Sequence, residues 1–193
     1  GEGAHSVTLS LLHSFMNYSL LAMKILTLKP GREKSLKRRH PWVFSGAVAK
    51  MPAGADAGDT VAVGAADGEF LALAAFNPQS QIVGRVWDWR EREIDGTFFF
   101  ERIARAVALR ERLLPACEAV RLVHAESDGL PGVVIDRYGD VVVMQLSSAG
   151  AMRWRDAIAD AVEQVVKPKT IFERSDADVL ALEGLQPQIG HRH

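Results

Sequence analysis

The sequence predicts an α+β fold, a small β-barrel followed by an α+β unit of different pattern. Three observations lead there. Short apolar stretches separated by tight-turn residues fill positions 60–89. The charged run Arg90-Glu-Arg-Glu93 interrupts that pattern. Beyond it the order becomes helix, three strands, helix, strand. Residues 24–90 and 95–185 are accordingly expected to hold separate cores.

The elements follow in chain order. Ile25 to Leu28 is a short strand. Glu33 to Arg39 forms a helical turn, stopped because Pro41 disfavours helix at His40. Val43 to Val48 resumes an extended path through Gly46, and Pro52 to Gly58 is a loop. Strands are expected over Thr60–Val63, Glu69–Phe76 and Ile82–Trp89, with turns at Ala66-Asp-Gly68 and Asn77-Pro-Gln-Ser80. Asp95-Gly-Thr97 caps a helix from Phe98 to Leu114, whose Phe99, Ile103, Ala106 and Val107 fall on one apolar face opposite an Arg/Glu face. Val120–Ala125, Val133–Tyr138 and Val141–Leu146 read as strands, the last two joined by the hairpin signal Gly139-Asp140. Ser148 caps a second helix, Gly150 to Val166, ended by Lys167-Pro168, and Thr170 to Arg174 is a final strand.

Charge singles out one segment. Six of the eleven residues from Lys29 to Arg39 are Lys or Arg, in a chain whose formal net charge is −1. The cluster runs directly into His40, Trp42 and Phe44. Dense positive charge attracts phosphates, and adjacent rings offer faces for unpaired bases. Lys34, Lys37, Arg38, Arg39 and His40 are therefore the expected RNA-binding residues, with Trp42 as a packing or stacking group. On composition alone the same segment reads as a solvated turn with Trp42 and Phe44 in the core.

Hydrophobic content of 48% and charged content of 24% suit a globular chain, and no apolar run reaches the ~20 residues of a membrane span. The one cysteine, Cys117, rules out an internal disulfide and a multi-cysteine zinc site, and fits a reducing, cytoplasmic setting. Residues 1–22 lack a basic n-region and read as a tag or upstream leader, and 188–193 as a tail.

Glu126-Ser-Asp-Gly-Leu-Pro-Gly132 and Asp136-Arg-Tyr-Gly-Asp140 place carboxylates near strand ends. Paired carboxylates serve general acid–base work or hold a hard cation, so a small hydrolase or metal enzyme is one reading. Turn and cap chemistry is the other. Ser127 lacks a Gly-x-Ser-x-Gly setting, and neither a P-loop nor Gly-x-Gly-x-x-Gly occurs.

Lys29-Pro-Gly-Arg-Glu-Lys-Ser-Leu, Arg39-His-Pro-Trp-Val-Phe-Ser-Gly46, Phe76-Asn-Pro-Gln-Ser-Gln-Ile82, Glu126-Ser-Asp-Gly-Leu-Pro-Gly-Val133, Asp136-Arg-Tyr-Gly-Asp140 and Phe172-Glu-Arg-Ser-Asp176 together resemble the bacterial large-subunit rRNA methyltransferase I type. The resemblance runs from Lys24 to Leu185. It implies a PUA-like RNA-binding barrel over 23–92 and a central α+β domain over 93–187. It also implies a Rossmann-type catalytic domain that uses S-adenosylmethionine to methylate carbon 5 of a 23S rRNA cytosine, and that domain has no counterpart here. No catalytic residue, metal ligand or cofactor is thus expected in this chain. Glu126, Asp128, Asp136, Arg137 and Tyr138 are expected to form a wall beside the active site. The expected partners are 23S rRNA and a second copy in a homodimer, with no membrane. A free-standing RNA-binding module without enzymatic activity is the competing reading.

Overall fold

The computed structural model describes residues 23–115, 117–175 and 177–191. The leader expected over 1–22 and the last two tail positions lie outside the described residues. The fold is α+β, built on two sheets.

The first sheet begins with β1 (Ile25–Leu28), which alternates as a strand must, burying Leu26 and Leu28 and exposing Ile25. It pairs in parallel with β4 (Thr60–Gly64) and antiparallel with β3 (Val48–Lys50). β4, β5 (Phe70–Phe76) and β6 (Ile82–Asp88) form an antiparallel meander, and β2 (Trp42–Phe44) lines its edge. The order is β2-β6-β5-β4-β1-β3. Its two edge strands are connected by only the 3-10 turn Ser45–Ala47, so the sheet curls until its edges approach. The Ser45 N–H donates to Gln81 O at 2.9 Å and the Lys29 N–H to Ala47 O at 2.8 Å, which ties that turn to both sides. The short α1 (Lys34–Lys37) adds Leu36 to the interior of this half-barrel. Phe44 is 47% exposed and Trp42 half-buried, so neither is the core residue that composition alone suggests.

In the second unit the Asp95 carboxylate caps α2 (Gly96–Leu113) by accepting from the Phe98 N–H at 2.9 Å. β7 (Ala119–His124), β8 (Val133–Tyr138) and β9 (Val141–Leu146) follow as an antiparallel meander. Ser148 caps α3 (Ala149–Arg153), accepting from the Ala151 N–H at 3.2 Å. The helix expected from Gly150 to Val166 breaks at Trp154, whose ring packs on Phe99 at 5.3 Å, and resumes as α4 (Arg155–Val166). β10 (Thr170–Ser175) returns parallel to β9. Beyond α5 (Ala177–Leu182), β11 (Gln188–His191) pairs antiparallel with β10. Positions 188–191 are thus a strand and not tail. β10 would otherwise leave a row of backbone donors and acceptors open, and β11 closes it.

The expectation of separate cores is corrected. One apolar cluster joins Ala62, Leu73, Ala75 and Trp87 of the half-barrel to Ile94, Phe98, Phe99 and Ile103 of the second unit. The half-barrel interior, around Leu26, Val63, Phe76 and Val86, is a different cluster. β5 is therefore buried on both faces. Trp87 makes edge-on contacts with Phe98 and Phe99 at 6.2 and 5.5 Å. Gly150 permits this approach, since a Cβ there would overlap Ala75 and lie 2.8 Å from the Trp87 ring. The charged run 90–93 separates patterns in the chain but not layers in the molecule. Among the described residues no helix is long and apolar enough to cross a membrane.

Candidate nucleic-acid interface

The basic segment is presented by a sharp reversal. The buried Leu36 anchors α1, and Lys34, Lys37, Arg38, Arg39 and His40 remain exposed around it. Arg39 takes a left-handed conformation, φ 65°, and its N–H donates to Leu36 O at 2.8 Å. Its guanidinium then lies 5.0 Å from the centre of the Trp89 ring, a cation–π contact. Lys37 is engaged by Glu69 at 2.6 Å. This pair is half-exposed and adds little stability, but it offsets part of the charge expected to face phosphate.

β2 alternates from the same start. Val43 points into the half-barrel, while His40, Trp42 and Phe44 gather outside it. Their ring centres lie 5.8 to 6.2 Å apart. The ring cluster and the cations of α1 thus share one surface.

Trp42 is also where the two sequence-predicted sites meet. Its indole N–H donates to Glu126 Oε1 at 2.8 Å, and Arg85 lies 5.6 Å from its ring centre. Arg85 donates to Glu126 at 3.3 Å and to Glu183 Oε1 at 2.9 Å. Asn77 Nδ2 and Ser80 Oγ complete the shell around Glu183, at 3.0 and 2.8 Å. Burial pushes the Glu183 carboxyl up, but hydrogen bonds from Arg85, Asn77 and Ser80 outweigh it and hold the group below its ordinary value. Asp88, at the end of β6, behaves alike: burial raises it, and Arg90 and Arg102 more than offset that.

The structure does not bring the five expected wall residues onto one surface. Glu126 and Asp128 sit in the 3-10 turn Ala125–Asp128 that follows β7. Asp136, Arg137 and Tyr138 end β8, where Tyr138 pairs with Ala119 at the start of β7. Along β8, Asp136 lies three residues, roughly 10 Å, from the end beside that turn, and Tyr138 five residues, roughly 16–17 Å. Asp128 accepts two hydrogen bonds from Arg110, at 2.6 and 2.7 Å, and a third from the His124 N–H. Asp136 is held by Arg121 at 2.8 and 2.9 Å. Arg137 reaches Cys117 O at 3.5 Å, and Tyr138 is 55% exposed. These carboxylates are dispersed and each is held by an arginine. Among the described residues no three His, Cys, Asp or Glu side chains are grouped to hold a metal.

Sequence reasoning missed Arg85, Asn77, Ser80 and Glu183 as a unit. Asn77 and Ser80 read as turn residues. The available signal was Arg85 itself, a lone charge inside the apolar strand Ile82-Val-Gly-Arg-Val-Trp87.

The curled sheet bears an exposed face of cations and rings and is joined through a common core to an α+β layer. Residues 26–89 match the family described as PUA-like domain. Over 172 residues the chain is 47% identical to the ribosomal RNA large subunit methyltransferase I of Shewanella frigidimarina, an alignment covering 87% of this chain and 43% of that protein. Its identity to the protein of the same name from Erwinia tasmaniensis is 48% over 164 residues, covering 83% and 41%. The chain therefore spans less than half the length of the curated relatives it matches. A candidate SAM-dependent methyltransferase from Streptococcus mutans shares the fold, with TM-score 0.73, 22% identity, and coverage of 89% of this chain and 43% of that one. The SAH complex of SMU.776, a candidate methyltransferase, does so at TM-score 0.72 and 24% identity, covering 81% and 41%.

Proposed function

We propose that this chain is the RNA-recognition portion of an S-adenosylmethionine-dependent 23S rRNA cytosine-C5 methyltransferase of the methyltransferase I family, acting in the cytoplasm. The observation that carries this reading is the shared surface of Lys34, Arg38, Arg39 and the His40–Trp42–Phe44 rings on a PUA-like barrel. Identity to rRNA methyltransferases at 47% supports it. The cations attract the RNA backbone and release its counterions. The exposed faces of Phe44 and His40 accept unpaired bases, while Trp42 is held edge-on by Glu126.

S-adenosylmethionine supplies the methyl group in this reaction, and no residue of this chain is assigned to hold it. The cleft between α2 and the turn Ala125–Asp128 presents Arg102, Arg105 and Arg112, a lining that repels a sulfonium cation.

The test is binding of a fluorescent 23S rRNA fragment across a salt series. Changing Arg38 and Arg39 to Ala should weaken binding and lower the salt slope by about 1.4–1.8, the contribution of two phosphate contacts. Unchanged affinity and slope would overturn the barrel face as the RNA-binding surface.

A further inference from the structure

We propose that the cleft between α2 and the turn Ala125–Asp128 is a second RNA-backbone site, in which Arg102, Arg105 and Arg112 hold phosphates. This rests on the reading of the chain as RNA-binding.

The cleft has a volume of about 630 Å³. Arg102, Arg105, Leu109 and Arg112 line it at spacings of three, four and three, which places them on one helical stripe. Their companions on the opposite wall are Ser127, Asp128 and Gly129. Asp128 does not neutralise the stripe, because Arg110 and the His124 N–H already occupy its oxygens.

The three arginines are not equivalent. Arg102 is a fixed element. It donates to the buried Asp88 at 2.9 Å, and its guanidinium lies 5.2 Å from the Phe98 ring centre. It also lies against Gly129, where a Cβ would stand 2.8 Å from its Nη1. Arg105 and Arg112 are exposed and make no ion pair with a described residue. Like charges at Arg102 and Arg105, three residues apart on a helix, repel each other. A bound phosphate removes that repulsion, and guanidinium groups grip phosphate with two parallel N–H donors. The protein as a whole has net charge −1, so this cationic stripe is not a general excess of base.

Position favours RNA as the ligand. The turn that forms the cleft wall also carries Glu126, the partner of Trp42. Four residues span at most roughly 13–14 Å. A strand leaving the His40–Phe44 rings therefore crosses one short turn, past the exposed Ser127, to reach the arginines.

Fluorescence anisotropy with a labelled 23S rRNA fragment over a KCl series tests this. The variants are Arg105→Ala/Arg112→Ala, the charge-reversed Arg105→Glu/Arg112→Glu, and Arg38→Ala/Arg39→Ala as the barrel comparison. The neutral cleft variant should lower the salt slope by about 1.4–1.8, with a larger loss of affinity on charge reversal and unchanged thermal midpoints. Wild-type affinity and slope in both cleft variants, alongside a loss in the barrel variant, would overturn the cleft site and leave the barrel reading standing. A loss in the cleft variants alone would support the cleft and overturn the barrel face. Salt-independent binding by the wild-type protein, or equal binding of polyglutamate, would overturn the cleft as a nucleic-acid site.

Discussion

The indole N–H of Trp42 points at the Glu126 carboxylate across 2.8 Å, which joins the half-barrel to the turn after β7. The residue is thereby less a free stacking platform than a post between two surfaces. Its ring edge is committed to the protein. The neighbouring faces of His40 and Phe44 remain turned to solvent.

Replacing Trp42 by Phe keeps a ring and removes the donor. Hydrogen bonds to charged groups contribute about 1.5–3 kcal/mol, and Arg85 stays on Glu126 to limit the damage. The expected loss is about 1.5 kcal/mol, read as a lower urea midpoint with an unchanged m-value.

Acid should weaken the fold through Glu183 and Asp88. Both folded values lie below the ordinary 4.5 and 3.8. The unfolded chain then binds protons before the native one does. The stability these carboxylates contribute is fully present above their ordinary values and is lost as pH falls through the depressed folded values. Denaturation midpoints should be level from pH 7 to about 5 and fall below it. Glu183→Gln should flatten part of that fall and cost about 1–3 kcal/mol at pH 7. An acid limb identical in the variant would contradict the assignment.

Cooperativity tests the common core. Calorimetry should show one unfolding transition, with calorimetric and van't Hoff enthalpies in agreement. Gly150→Ala forces a methyl against Ala75 and Trp87 and should lower stability by about 1–3 kcal/mol while keeping a single transition. Two resolved transitions would refute the shared core.

Isothermal titration of S-adenosylmethionine into this chain should give no saturable heat in the micromolar range. Saturable binding that is lost on Arg105→Ala/Arg112→Ala would place the cofactor in the cleft and refute its assignment elsewhere.

Local chemistry made much of the fold legible. The Asp95 and Ser148 caps, the 139–140 hairpin and the strands of the half-barrel all depend on neighbours in sequence, and each lies within a few residues of its expected place. What depends on distant neighbours was hidden. Nothing near Trp87 announces that its ring meets Phe98, and nothing near Gln188 announces that β10 needs a partner. The basic cluster and rings could be read because charge and aromaticity are local properties. Glu126 could be noticed, but not its bond to a residue 84 positions away. The arginine stripe of α2 read only as the Arg/Glu face opposite the apolar one, since its spacing alone carries no sign of the facing Gly129.

The outward-facing Leu73, Ala75 and Trp87 set a limit on grafting. Excised at residue 92 and produced alone, the half-barrel would bring an oily flank into water and self-associate through it. A chimera that exchanges RNA-reading surfaces between proteins must therefore carry Ile94 to Ile103 and the segment around Gly150 along with the barrel. The smallest transplantable piece is the barrel together with the helices that shelter it.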